Sequence, residues 1–123
     1  GQIEGGFVQG QGWLTMEEVN WKLNGQITTV SPSTYKRPAA SDIPKKFNVE
    51  IFKNGKNKEN VVNKSKTTGE PPLMLAMSVF YAIKDAVASV GEYKVIPKLD
   101  APATPEKILM SLKELKSRIR YNS

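Results

Sequence analysis

The stretch from Pro71 to Ser89 constrains the fold more than any other part of the sequence. Its apolar residues recur at helical spacing, but they lie on nearly every side of the predicted helix instead of forming one stripe. Such a helix is buried on most sides, and a chain of 123 residues has little surface with which to cover it. We therefore expect this helix to pack against another domain or subunit as well as its own chain.

Two other stretches have the pattern of amphipathic helices. Residues 2–15 carry apolar positions at the three- and four-residue spacing of one helical stripe. A second stripe follows Thr104, which is a suitable N-cap for a last helix beginning at Pro105. The sequence thus predicts three helices, one at each end of the chain and the apolar one between them.

The period changes between the first and second helices. Residues 19–23 alternate apolar and polar, and they are followed by Asn24-Gly25 and a second predicted strand at 26–30, which is typical of a β-hairpin; residues 47–52 alternate again. We predict an α+β fold in which a small, mostly antiparallel sheet of about three strands packs with the three helices. Residues 1–123 form a single domain or a fragment of one. The large aromatic residues expected in the core are Trp13, Trp21 and Phe80.

Glycines crowd the first predicted helix. Each glycine in a helix interior costs about 1 kcal/mol relative to alanine. Their number indicates that something approaches this backbone closely, and the sequence leaves open whether it is a neighbouring helix or a bound ligand. The residues concerned are Gly5, Gly6, Gly10 and Gly12.

The residue types present exclude several functions. With no His and no Cys, the chain has no Cys or His zinc site, no catalytic thiol and no Ser-His-Asp triad of its own. The formal charge is +6, but the densest basic run, KNGKNKEN, contains no aromatic side chains on which bases could stack. We expect a solvated basic face and no nucleic-acid binding. We find no window of about 18 consecutive apolar residues in the sequence, so no membrane span is expected.

Glu70 stands between a glycine and a Pro-Pro pair, in KTTGEPPLMLAM, where the apolar helix begins. Pro71 and Pro72 restrict the backbone and so restrict the direction of the carboxylate. A carboxylate in this position can stabilise the helix dipole or act as a general base. The residues by themselves leave both roles open.

Several stretches carry a family resemblance. In chain order they are GQIEGGFVQGQGWLTMEE, SPSTYKRPAASDIP, SKTTGEPPLML, VFYAIKDAV and LDAPATPEKIL. Together they resemble the C-terminal end of the molybdopterin-binding portion of xanthine dehydrogenases, a family of molybdenum hydroxylases, and especially its bacterial members. The resemblance covers essentially the whole chain, and GEPP after Ser-Lys is one of its most specific elements.

The resemblance implies a role for four residues. Glu70 matches the family's catalytic base, which serves the hydroxylation of purines or related heterocycles with oxygen derived from water. Gln2 matches the glutamine that hydrogen-bonds the molybdenum cofactor, and Lys66 and Gly69 match cofactor-binding positions in the loop before the base. The family usually has Ala-Val before Gly-Glu, whereas this chain has Thr67-Thr68, which adds hydroxyl groups.

The same resemblance implies partners. The molybdenum-molybdopterin cofactor would be shared with further segments of its binding domain, while FAD and 2Fe-2S clusters would lie elsewhere in a cytoplasmic parent enzyme. No metal ligand is expected among the residues of this chain, and we expect the isolated chain to be inactive. Two alternatives are a non-catalytic module for protein binding or homo-oligomer formation, which would dock through the glycine-rich helix, and a basic nucleic-acid-binding domain.

Overall fold

The computed structural model describes residues 1–122, and their regular structure is helical. The two single-turn 3-10 helices lie at Ala40–Asp42 and Val62–Lys64. The α-helices are α1 (Gln2–Thr15), α2 (Glu70–Leu75), α3 (Met77–Ser89) and α4 (Pro105–Asn122).

The core lies between α3, α4 and the segment that connects them. The backbone N–H of Lys107 donates to Thr104 Oγ1 at 3.3 Å, so Thr104 caps α4 as predicted. The predicted apolar stripe of α4 faces this core, with Leu115 almost fully buried. The buried centre consists of Val87, Leu99, Ala103 and Leu115, and the partly buried residues around it are Phe80, Ile83, Val95, Ile108, Leu112 and Ile119.

Helix α1 crosses α2 at its glycines. A Cβ atom at Gly10 would lie 2.4 Å from the carbonyl oxygen of Leu73 and 2.7 Å from Cβ of Ala76. A Cβ atom at Gly6 would lie 3.1 Å from the carbonyl oxygen of Gly69. The close approach predicted from the glycines is therefore confirmed at these two positions, where the neighbour is a helix.

The apolar helix is divided at the point of this crossing. The N–H of Ala76 donates to the carbonyl of Leu73 at 3.2 Å, and the N–H of Val79 donates to the carbonyl of Ala76 at 3.0 Å. These bonds span one residue fewer than α-helical bonds, so a tight turn separates α2 from α3. Ala76 is fully buried against Gly10, which permits the turn to lie directly on α1.

The predicted three-stranded sheet is wrong. The Asn24-Gly25 hairpin does form, since Gly25 has φ of +81° and its N–H donates to the carbonyl of Lys22 at 2.9 Å. In the described chain, however, Trp21 and Ile27 form an isolated antiparallel bridge and no ladder extends from it. A hairpin with one bridge does not make a sheet.

Residues 47–52 explain the rest of this error. Phe47 and Val49 are half-buried and Asn48 and Glu50 are exposed, so the alternation holds as far as Glu50, but Ile51 and Phe52 are 75% and 78% exposed and do not continue it. Phe47 packs on Phe7 of α1, with ring centroids 5.2 Å apart. No strand in residues 1–122 lies beside this segment, and an extended backbone becomes a strand only when a neighbour accepts its hydrogen bonds. The fold is therefore α-helical and not α+β.

The apolar helix stays largely uncovered. Leu75 and Tyr81 are 65% and 57% exposed, as the expectation of an additional packing partner requires. By length and composition alone, Glu70–Ser89 is apolar enough to cross a membrane, which corrects the expectation that no such window exists. A core helix of a larger protein passes the same test, so this is weak evidence for a span. Only 17% of the apolar window is buried within the described chain.

The aromatic residues divide between core and surface. Phe80 packs against the α3–α4 core, as predicted. Trp13 and Trp21 are 51% and 59% exposed, so the prediction that they lie in the core is wrong. Trp13 lies in α1 beside an open cleft, and Trp21 lies in a hairpin with one bridge, so neither ring is covered by the described chain.

Candidate functional site

A cleft of about 400 Å³ opens between α1 and the loop that leads into α2. It brings together three residues that the sequence predicts for the site, namely Gln2, Gly69 and Glu70, although α1 and α2 lie far apart in the sequence. Lys66 does not line the cleft and its side chain is exposed, so its contact with a cofactor stays a prediction. The lining residues are Gln2, Gly5, Gly6, Gln9, Thr67, Gly69, Glu70 and Leu73.

The local sequence places Glu70 at the first position of α2. The two prolines that follow fit the first turn, where their missing N–H groups would have no helical partner. The first helical hydrogen bond runs from the N–H of Leu73 to the carbonyl of Gly69 at 3.1 Å. Glu70 therefore stands at the positive end of a short helix that is fixed against α1.

The polar side chains of the cleft are not engaged within the described chain. Glu70 is exposed and makes no hydrogen bond or ion pair with any other residue of 1–122, and the amides of Gln2 and Gln9 are equally free. Gln11 differs, because its Nε2 donates to the carbonyl of Asp42 at 2.9 Å. The cleft thus offers one carboxylate and two amides to an incoming group.

Gln9 and Leu73 also line this cleft, although no sequence motif singles them out. Gln9 follows Gln2 by roughly two helical turns, so it lies on nearly the same face of α1. Helical periodicity counted from Gln2 would have found it. Leu73 follows Glu70 by nearly one helical turn, so the two side chains are neighbours on the surface of α2.

A second cleft of about 580 Å³ lies farther along α1, where Trp13 and Tyr35 line it. The hydroxyl of Tyr35 donates to Glu17 Oε2 at 2.5 Å. Glu18 instead faces Lys107, with Nζ and Oε1 3.9 Å apart, so the two adjacent glutamates point apart as predicted. The hydrogen bond to the Glu17 carboxylate raises the pKa of Tyr35 above its ordinary value.

We expect the stabilising effect of Tyr35 to depend on pH. Because its pKa is raised in the folded chain, its contribution is fully present below the unfolded-state value of about 10 and is lost as the pH rises through the folded-state value. Tyr35→Phe should therefore unfold at lower denaturant concentration than the original chain at pH 7, and the difference should vanish at high pH. Glu17→Gln is the control, and it should return the tyrosine titration toward its ordinary range. Equal stability of Tyr35→Phe at pH 7 would contradict this account.

Comparisons with known proteins place the chain in a family. Residues 1–44 match the family described as "Molybdopterin cofactor-binding domain". Xanthine dehydrogenase/oxidase of Rattus norvegicus is 48% identical over 113 residues, which are 88% of this chain and 8% of the rat protein. Xanthine dehydrogenase of Oryza sativa subsp. japonica is 43% identical over 122 residues, which are 90% of this chain and 9% of the rice protein.

A fungal relative extends the match over almost the whole chain. Xanthine dehydrogenase of Blastobotrys adeninivorans is 45% identical over 129 aligned residues, covering 97% of this chain and 9% of that protein. The chain thus spans less than a tenth of the length of these relatives. The predicted resemblance is confirmed, while the bacterial subtype stays a prediction. The chain belongs to the xanthine dehydrogenase family and corresponds to a segment of its molybdopterin-binding part.

Proposed function

We propose that this chain is the segment of a molybdenum-dependent hydroxylase that contributes the general base, Glu70, and one wall of the cofactor site. The shared cleft carries the proposal, because Gln2 and Glu70 face the same space and neither is engaged by another residue of the described chain. Family membership supports it independently of the geometry. The sequence left open whether Glu70 stabilises the helix dipole or acts as a general base, and these two observations favour the base.

The residues of the cleft suit the organic part of a molybdenum cofactor. An amide such as that of Gln2 can both donate and accept hydrogen bonds at the edge of a pterin ring. A Cβ atom at Gly5 would meet nothing within 4 Å, so this part of the wall is open. In residues 1–122 no three carboxylates come together as metal ligands, and the sequence has no His or Cys. Molybdenum would accordingly be held through the cofactor's own ligands or by other segments.

Each cleft residue then has a defined task. When bound, the cofactor supplies the two-electron redox chemistry. Glu70 accepts the proton from the water-derived oxygen that attacks an electron-poor carbon of the substrate. Gly69 presents no side chain beside this carboxylate, so a planar substrate can approach closely, and Gln2 orients the cofactor. The substrate class we propose is a purine or a related heterocycle.

The exposed apolar face of α2 and α3 supports a site shared with other segments. The relatives are more than ten times longer than the matched region, so they contain the chain needed to cover Leu75 and Tyr81. We propose that the remaining segments of the molybdopterin-binding domain pack on this face. FAD and 2Fe-2S clusters would lie in other parts of the same cytoplasmic enzyme. The same face also favours the second candidate, a non-catalytic binding or homo-oligomeric module.

We expect the isolated chain to hold no stoichiometric cofactor and to be inactive, since it contributes only one wall of the site. The measurement is elemental analysis for molybdenum, fluorescence analysis for pterin, and xanthine-dependent reduction of an electron acceptor. The intact parent enzyme, purified in the same way, is the control that shows the assays work. Stoichiometric molybdenum together with turnover in the isolated chain would contradict the claim of a shared site.

A further inference from the structure

Gln9 lines two of the clefts that border α1. It borders the cleft of Gln2 and Glu70 and also the neighbouring cleft of Trp13 and Tyr35. The candidate site therefore does not end at the predicted residues but continues along the helix past Gln9. No motif and no family match assigns a role to this side chain.

The geometry of α1 sets the distance between the two free amides. Gln2 and Gln9 are separated by about 7 residues, which correspond to about 10 Å along the helix axis. The carbonyl oxygen of Gly69 meets α1 at Gly6, so the start of α2 contacts α1 between the two glutamines. Glu70 is therefore bracketed by an amide on the preceding turn of α1 and another on the following turn.

Gln9 is exposed, and its amide is available to a ligand. Its amide makes no hydrogen bond within residues 1–122, whereas Gln11 on the other side of the helix is fixed by the carbonyl of Asp42. A free amide beside a cleft can bond to a ring edge that carries both N–H donors and C=O or N acceptors. Between the two glutamines, Gly5 leaves the wall open for a flat molecule.

We propose that Gln9 is a second ring-binding amide of this site, which holds a planar heterocycle with alternating donors and acceptors at the end opposite to Gln2. This inference rests on the proposed function, because that function supplies ligands of this chemistry. Two sources are available, namely the pterin ring of the cofactor and the heterocyclic substrate. Both would lie along α1, with Glu70 facing the ring between the two amides.

The test replaces Gln9 with Met in the intact enzyme, which keeps the length of the side chain and removes its hydrogen bonds. Loss of one such bond should weaken binding by about two- to tenfold. If the ligand is the pterin ring, molybdenum and pterin are lost during extensive dialysis at a rate raised by about that factor, so the retained content is lower than in the original enzyme. If the ligand is the substrate, cofactor content is unchanged and KM for the heterocycle rises by that factor.

Two further variants make the outcome decisive. Gln26→Met, on the exposed hairpin, is the matched control and should change neither quantity. Gln9→Ala tests the same loss with a residue that favours helix, so that a folding defect of the Met variant cannot be mistaken for lost binding. Unchanged cofactor content and unchanged KM in both Gln9 variants overturn the inference. If Glu70→Gln nevertheless abolishes turnover in the same enzyme, the proposed function stands and the role of Gln9 alone fails.

Discussion

Replacing Glu70 by Gln in the intact enzyme is expected to lower turnover by about 10²- to 10⁴-fold, the usual contribution of a general base. The amide keeps the size and the hydrogen-bonding capacity of the side chain but cannot accept the proton. The position at the start of α2, fixed against α1, is preserved, so cofactor content should stay normal. The measurement is kcat for preparations with equal molybdenum content.

Glu106→Gln is the control for an electrostatic role without catalysis. Like Glu70, Glu106 lies in the first turn of a helix beside proline, and it is exposed. Its replacement removes a helix-dipole interaction of about 0.3 to 1 kcal/mol and should leave kcat unchanged. If Glu70→Gln behaves like Glu106→Gln, with near-normal turnover at full molybdenum content, Glu70 is a structural anchor and not the base.

Gly10→Ala is expected to separate α1 from α2 and to destabilise the protein by about 1 to 3 kcal/mol, the usual cost of overpacking. The new methyl group would lie 2.4 Å from the carbonyl oxygen of Leu73 and 2.7 Å from the buried Cβ of Ala76. Neither atom belongs to a flexible side chain, so the helices themselves must move. Because the same crossing positions Glu70, cofactor content should fall along with stability.

Gly5→Ala is the matched control on the same helix. Its methyl group would meet nothing within 4 Å, and replacing a glycine in a helix raises stability by up to about 1 kcal/mol. Denaturant unfolding of both variants, with cofactor removed, measures the contrast directly. Equal stability of Gly10→Ala and Gly5→Ala would show that the close crossing of α1 and α2 does not hold the fold together.

The helices could be predicted from sequence because their signals are local. The bounds of α1 and the N-cap of α4 depend on side-chain period and on one hydroxyl group, both of which are visible within a few residues. The break at Ala76 could not be predicted, since it depends on the contact with Gly10 of another helix. Packing between two helices determines where the apolar helix breaks, and the spacing of apolar residues within one helix does not reveal that contact.

The strands failed for a related reason. Residues 47–50 are alternately half-buried and exposed, but a sheet needs a neighbouring strand, and the described chain provides none beside them. Trp13 and Trp21 were predicted to lie in the core, and they are exposed. In both cases the described chain supplies too few neighbours, either a second strand or side chains to cover a ring.

The site was only partly predictable. The resemblance pointed to Gln2, Gly69 and Glu70, and the fold brings these three residues to one cleft. Lys66, from the same loop, lies outside the lining, whereas its neighbour Thr67 belongs to it. No motif indicated Gln9, although helical periodicity counted from Gln2 places it on nearly the same face of α1.

Anomalous X-ray scattering at the molybdenum absorption edge, from crystals of the intact enzyme loaded with cofactor, locates the metal without any assumption about mechanism. We expect a molybdenum peak at the cleft between α1 and α2, on the side that Gln2, Gly5 and Glu70 line. A peak on another face of this segment, with the cleft filled by protein side chains, would contradict this expectation.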